Sequence, residues 1–258
     1  MVPCGARWSG FGRTDMPKVA IVAALEREVL PLVRHWRISK REYSGRSFRF
    51  FENGEIVLVC GGIGAETARR ATEAAIAVYA PGLVYSVGFA GALVAELKIG
   101  GIIVPRRVVN AGDGSSVETE TGEGVLVSFN SVASPEQKEK LADSFGAQAV
   151  DMEAAAVAQA AQARGVRFAA VKAISDESNF ALPAMDKFVE PAGKFLTWRF
   201  TLFVLVRPWM YKSMLTLARN SNRASHALCN WLARMNEDLT AAAEAENSSD
   251  SAEISNRR

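Results

Sequence analysis

The chain is poor in the residues that build most redox, metal and charge-relay sites. It holds three cysteines and two histidines in 258 residues. Cys4, Cys60 and Cys229 are too few and too scattered for a disulfide framework or a zinc site. Cys60 closes an apolar run and reads as a small buried residue, so a reducing, cytoplasmic compartment is the expectation. His35 and His226 each fall on a helix pattern and read as surface residues, which leaves no serine–histidine pair. Long apolar runs are also missing. The most apolar window, "FLTWRFTLFVLVRPWM", is broken by Arg199, Arg207 and Pro208 and falls short of the roughly 20 clean residues of a membrane span. Residues 1–15 lack the apolar core of a signal peptide and read as a disordered extension ahead of "MPKVAIVAAL". Nor does one sign of charge dominate: 30 basic residues against 28 acidic ones give a net charge of +2.

What the chain does have is apolar content, 49% of residues, enough for a sizeable core, arranged as short runs alternating with helical patterns. That alternation predicts an α/β protein with a central twisted mixed sheet flanked by helices. "KVAIVAAL" (18–25), "EIVLVC" (55–60), "GLVYSV" (82–87), "GGIIVPRRVV" (100–109), "GVLVSF" (124–129) and "RFAAVKAIS" (167–175) read as strands. A helix opens around Glu28 with Pro31 in its first turn. A second, with Glu66, Arg69, Arg70 and Glu73 on its wet face, stops at Pro81-Gly82. Residues 110–124 form an exposed loop or hairpin tip. Over 134–146, Ser134, Pro135 and Gln137 compose a capping box with proline at the first helical position. "AVDMEAAAVAQAAQARG" (149–165) supplies a short strand and an alanine-rich helix stopped by Gly165.

Four organisational units are expected: the extension 1–15, a main α/β domain 16–190, a basic amphipathic extension 191–236 and a disordered acidic tail 237–258. From Pro191 to Asn236 there are seven Lys or Arg and no acid. Over 209–235 the apolar positions Met210, Met214, Leu217, Ala224, Leu228, Trp231 and Met235 share one helix side, with Lys212, Arg219, Arg223 and Arg234 opposite. Such a helix suits a lipid surface, and it equally suits packing on the core or on a second subunit.

Polar and glycine residues gather at strand ends. Glu28 follows the first strand; Gly61, Gly62 and Gly64 follow the second; Gly88 and Gly91 follow the third; Asp151 and Glu153 follow a later one; "SDESN" follows the last. The crevice at the carboxyl ends of strands is where α/β sheets bind ligands, and glycine lets backbone approach them closely. Each piece alone has a plainer account. Asp151 and Glu153 could simply favour a helix dipole, and glycines after a strand could merely permit a turn.

Together, "VAALEREV", "GGIG", "VGFAGAL", "VDMEAAAVA" and "KAISDESN" resemble, in order and approximate spacing over residues 17 to about 180, the purine nucleoside phosphorylase and methylthioadenosine/S-adenosylhomocysteine nucleosidase superfamily. The resemblance implies the three-layer phosphorylase/hydrolase-like fold and an enzyme that cleaves the bond between purine and ribose, releasing adenine from a 5′-substituted adenosine. Asp176 matches the acid that protonates N7 of the leaving base, and Ser175 the neighbour that orients it. An ordinary aspartate is protonated in about one molecule in a thousand at pH 7, so burial or a neighbouring acid is expected to favour its protonated form. Glu153 matches the carboxylate that grips the ribose hydroxyls, Met152 a packing contact beneath the sugar, and Glu28 the base that activates water. Gly64 and Gly91, from the supporting glycine motifs, join the substrate-binding candidates, and Val132, with Ala133 next to it, is the nearest counterpart of the aromatic that the nucleosidases stack on the base.

Departures qualify this picture. "ALERE" replaces the phosphate-holding turn of phosphorolytic relatives, which favours water, with Arg27 an unassigned cation. Phe89 stands where many members carry a small hydroxyl residue. The loop at 110–124 is shorter than the usual substrate-covering region, implying an open site and altered 5′ specificity. The C-terminal part, from "SDESNFALPAMDKF" through "VRPWMYKSMLTLARNSNRASHALCNWL", resembles the hopanoid-biosynthesis-associated phosphorylases. That implies an alternative in which phosphate removes adenine from an adenosylated lipid. Loss of catalysis with retained nucleoside binding is a further alternative. No cofactor is implied beyond phosphate as co-substrate if the reaction is phosphorolytic. A homo-oligomer is implied, along with possible peripheral contact of 194–235 with the inner membrane face. A cationic stripe confined to one helix, without a recognition motif, excludes nucleic acid as the expected partner.

Overall fold

The structure, a computed structural model, describes residues 19–180 and 211–255, with side chains of the last helix described over 215–238. Residues 1–15, and the 191–210 part of the expected basic extension, lie outside the described residues.

Among the described residues eleven strands form one sheet. They are β1 (Val19–Ala23), β2 (Arg37–Tyr43), β3 (Arg46–Asn53), β4 (Ile56–Cys60), β5 (Leu83–Ala92), β6 (Ile102–Ile103), β7 (Arg107–Asn110), β8 (Ser116–Glu118), β9 (Val125–Ser128), β10 (Ala149–Asp151) and β11 (Arg167–Asp176). The helices are α1 (Glu26–Val33), α2 (Ala65–Tyr79), α3 (Pro135–Phe145), α4 (Ala154–Gln162) and α5 (Tyr211–Ser255). The path runs β2-β3-β4-β1-β5-β10-β9-β7-β8, with β11 against β5 and β6 against β11. β1, β4 and β11 run parallel to their neighbours β1 or β5, whereas β10 is antiparallel to β5. The carboxyl ends of β1, β4 and β11 therefore open on one edge.

The central strands are apolar throughout because both faces are covered. In β1, Ala20 and Val22 pack toward α2 and α4, while Val19, Ile21 and Ala23 pack toward α1 and α5. The alanines of α2 and α4, among them Ala71, Ala75, Ala154 and Ala158, share one cluster. These small side chains let two helices approach the sheet closely, and a Cβ on Gly61 would sit 2.9 Å from that of Ala71. α3 covers the β9–β10 end through Leu141. The result is the α/β, three-layer arrangement with a mixed central sheet.

Several details differ from the sequence reading. β2 and β3 are a hairpin that the pattern conceals, because β2 is "RISKREY" and exposed along most of its length. Its turn residues Ser44 and Gly45 both have positive φ, 47° and 72°, as a two-residue hairpin turn requires. Residues 100–109 split into β6 and β7 around Pro105, which cannot donate to a ladder. The 110–124 segment is a hairpin tip, β8 returning against β7. α1 starts at Glu26, which places Pro31 inside it rather than in the first turn. The missing proline N–H would have bonded the Arg27 carbonyl. Instead Ser225 of α5 reaches the Arg27 and Glu28 carbonyls at 3.4 and 2.9 Å.

α5 also changes the domain picture. Ala224, Leu228 and Leu232 are fully buried against α1 and the sheet, while Arg219, Arg223 and Arg234 are exposed. Its apolar face belongs to the core and is unavailable to a lipid surface over the described side chains. The helix runs to Ser255, so the acidic stretch from 237 is helical backbone rather than an unstructured tail. Its alanines and glutamates are good helix formers. Among the described residues no helix is long and apolar enough to cross a membrane.

Candidate active site

One pocket gathers most of the residues singled out in the sequence. Glu28, Gly91, Val132, Ala133, Met152, Glu153, Ser175 and Asp176 all line it, together with Arg27, Phe89, Lys138 and Asp151. Gly64 does not line it but donates its N–H to Glu153 Oε1 at 2.9 Å. Its φ of 99° is one that only glycine adopts at little cost. That backbone turn aims the N–H at the carboxylate from the start of α2.

Glu28 sits on the first turn of α1, immediately beyond β1, and is buried. Its Oε2 is a buried acceptor without a hydrogen-bond partner, 3.0 Å from where a Cβ on Gly88 would stand. Burial pushes its pKa up to about 7, and the charge of Glu153 adds to the rise, against smaller opposing effects of Lys172 and Arg27. Glu153 is likewise pushed up to about 7, first by desolvation and then by Asp151, with Lys172 and the Gly64 N–H opposing. Two carboxyl groups thus face one pocket poised between protonation states at neutral pH, each made a weaker acid by the other negative charges.

Asp151, the first acid of "DME", plays a different part. Its Oδ2 accepts from the Ala154 N–H at 2.9 Å and pairs with Lys172 Nζ at 2.9 Å, while Oδ1 accepts from Ser128 Oγ at 2.5 Å. Both partners of the ion pair are essentially without solvent, and Lys172 also donates to Ser86 Oγ at 3.0 Å. The plain helix-capping account therefore holds for Asp151, and Glu153 two residues later faces the pocket. Lys172 escapes the sequence reading, although a lysine inside "FAAVKAI" carries a signal, since a charge on a central strand must be paired.

Asp176 ends β11, buried. Ser175 Oγ donates to its Oδ1 at 2.8 Å, and Lys138 Nζ donates to its Oδ2 at 2.5 Å and to the Glu177 carbonyl at 2.7 Å. The neighbour expected from sequence was burial or another acid. Burial is present, but the partner is an ammonium group whose side chain is 2% exposed. Lys138 is the second residue missed. It shares the inward face of α3 with Leu141 at i+3, a register readable from "PEQKEKLADSF" once the capping box sets the helix start. Gly91 is required beside this pair, because a Cβ there would stand 2.8 Å from Asp176 Oδ2 and 3.3 Å from Lys138 Cε.

The remaining candidates fall as follows. Val132 and Ala133 form the wall where the chain enters α3, and Met152 lies between the two acids of "DME". Phe89 leans on the α1/α5 cluster while bordering the pocket. His35 and His226 are both exposed. Among the described residues no group of three or more His, Cys, Asp or Glu side chains is arranged to hold a metal ion.

The chain matches the phosphorylase superfamily over residues 18–126 and 119–196. It is 26% identical to a 5′-methylthioadenosine/S-adenosylhomocysteine nucleosidase of Staphylococcus carnosus, across 68% of this chain and 94% of that one. The fold is similar to that of the Helicobacter pylori 5′-methylthioadenosine/S-adenosylhomocysteine nucleosidase, solved in complex with an aminopyrrolopyrimidine-bearing pyrrolidinol. There the TM-score is 0.66 at 22% identity, covering 87% of this chain and 99% of that one. It is also similar to the futalosine hydrolase of the same organism, with a TM-score of 0.65 at 22% identity over 86% and 98% of the two chains.

Proposed function

The chain belongs to the phosphorylase superfamily, and from that premise we propose that it hydrolyses the N-glycosidic bond of a 5′-substituted adenosine, releasing adenine. The observation that carries the reading is the meeting of Glu28, Glu153 and Asp176 around one pocket. They come from the ends of β1, β10 and β11, far apart in the chain.

The chemistry assigns each a task. Cleavage passes through a ribosyl group with cationic character, and negative charge fixed beside it lowers the barrier. Glu28 and Glu153, both raised to about 7 largely by burial and by nearby acids, would gain from a positive sugar between them. Glu153, held by Gly64, accepts from the ribose hydroxyls with Met152 beneath the ring. Glu28 takes a proton from water as its oxygen bonds to C1′. The electron pair of the C1′–N9 bond moves onto the base, and N7 is protonated at the Asp176 end. Val132 and Ala133 lie beside the base.

The same electrostatics favour water over phosphate. A phosphate dianion next to an unpaired Glu28 carboxylate would meet like charge, and "ALERE" offers no phosphate-holding turn. The named relatives are nucleosidases and a hydrolase, which supports water as well. The test is adenine release from methylthioadenosine, S-adenosylhomocysteine and an adenosylated lipid, with and without phosphate. Adenine is expected from one of the first two at a rate that phosphate leaves unchanged. No adenine from any substrate would remove the reading, and a strict phosphate requirement would replace hydrolysis by phosphorolysis.

A smaller effect tests the geometry. Gly91→Ala would place a methyl group 2.8 Å from Asp176 Oδ2, so the carboxylate or β5 must shift. A misplacement on the order of 1 Å costs up to about a hundredfold. The variant is expected to lose about tenfold to a hundredfold in kcat with its melting temperature little changed, by adenine release and thermal denaturation.

A further inference from the structure

Asp176 as found is an acceptor on both oxygens. Ser175 Oγ donates to Oδ1 and Lys138 Nζ to Oδ2. An ammonium group has three donors and no lone pair, so Oδ2 carries no proton while that pair stands. The proposed reaction nevertheless delivers a proton to N7 of the departing purine. Two of the three Lys138 N–H bonds are committed, one to Asp176 Oδ2 and one to the Glu177 carbonyl. The side chain is buried and borders the pocket. Lys172, the other fully buried lysine among the described residues, is held instead by Asp151 and Ser86.

Resting on the functional reading above, we infer that Lys138 supplies the proton for the leaving base and passes it through Asp176. The Lys138 Nζ–H bond breaks as an Asp176 O–H bond forms, leaving a neutral amine and a neutral carboxylic acid. As C1′–N9 breaks and its electron pair enters the purine, the carboxylic acid gives its proton to N7 and returns to carboxylate. The neutral amine regains a proton from solvent when adenine leaves. Overall one proton moves from the ammonium to the base, while the proton removed from the attacking water resides on Glu28.

The placement suits the task. Separated charges gain little from solvent in a buried pair, and transfer within it neutralises both. Lysine is the cation that can give up a proton in a buried setting, whereas arginine remains charged. The segment that turns into α3 after Val132 and Ala133 also carries Lys138, so one element borders the base and supplies its proton. Lys138 is on this account a positioning and proton-supplying residue that acts through Asp176.

Two substitutions and two measurements test it. Lys138→Met keeps the length without the proton, and Lys138→Arg keeps the charge in a group that does not release one. Both are expected to lose about a hundredfold in kcat on methylthioadenosine. Binding of a 9-deazaadenine nucleoside analogue, whose N7 already bears hydrogen, should stay within about threefold in Lys138→Met by calorimetry, because Asp176 accepts that hydrogen unaided. Turnover by Lys138→Met within about fivefold of the parent would overturn the inference. So would recovery by Lys138→Arg to within about threefold, which would make Lys138 a charge partner only. A loss of analogue affinity in Lys138→Met matching its loss of kcat would show a structural role and also overturn it. A parent protein that releases no adenine would instead defeat the functional reading itself, so the two failures are distinct.

Discussion

Replacing Asp176 by asparagine is expected to lower kcat for adenine release by about a thousandfold, within the range typical of a lost general acid. Asparagine keeps the shape and can still accept from Lys138 Nζ through its amide oxygen, so the wall of the pocket stays in place. It cannot carry a proton to N7. Affinity for an unreactive nucleoside analogue should therefore remain within a few-fold, and the loss should fall on kcat rather than KM. Some stability should also go, because the buried Lys138 ammonium, now at 2.5 Å from Asp176 Oδ2, loses its counter-charge. A buried pair broken on one side costs about 3–5 kcal/mol in the harsher cases, and the retained amide oxygen keeps this example below that. Thermal denaturation beside the kinetics separates the two effects. Turnover within a few-fold of the parent would move the acid's role away from Asp176.

The fold was legible where burial is two-sided. β1, β4, β5 and β11 are continuous apolar runs because helices cover both faces, and that texture needs no tertiary knowledge to read. The capping box at Ser134 is a purely local device, and the structure shows both of its hydrogen bonds. The hairpin β2–β3 was not legible in the same way. Its outer strand is solvated on both sides, so no alternation marks it. Only the turn dipeptide Ser44-Gly45 and the inward Phe48 and Phe50 of β3 betray it. α5 was legible as an amphipathic helix, but the identity of its apolar partner was not. Periodicity says that one side is covered and cannot say by what, and the burial of Leu228 and Leu232 supplies the answer.

The candidate site divides along the same line. Carboxylates at strand ends show in the sequence because strand ends do, and glycines show because close approach demands them. The cations show only faintly, as a lysine inside an apolar strand or on the inward register of a helix, because a lysine reads as surface by default. Lys138 and Lys172 reach the site from a helix face and from the middle of a strand. Each is tolerated inside only because a particular aspartate, thirty-eight and twenty-one residues away, meets it. Pairing over such distances is a property of the fold, so the acids were found and their partners were not.

Glu28→Gln is expected to trade activity for stability, and the direction follows from the raised pKa. A glutamate acting as base must be ionised. With Glu28 held at about 7 by burial and the Glu153 charge, kcat/KM of the parent should rise as pH increases through about 7 and level off above it. Glutamine cannot accept the proton of water, so the variant should lose about a thousandfold in kcat, and its residual rate should lack that rise. Stability moves the other way. In the unfolded chain the carboxyl ionises near its ordinary 4.5, against about 7 when folded, so the folded state holds more protons between those values. Its contribution to stability is fully present below about 4.5 and is lost as pH rises through about 7. At about 1.4 kcal/mol per pKa unit the loss above neutrality is on the order of 3 kcal/mol. A glutamine carries no charge to bury, although its amide still asks for partners. The variant should therefore be about 1–3 kcal/mol more stable than the parent at pH 8 and gain nothing at pH 4, as read from denaturant melts at the two values. Equal stabilities at pH 8, or a parent rate flat across pH 6–8, would show that Glu28 ionises freely in the folded protein, and an unchanged kcat in the variant would show that it is not the base.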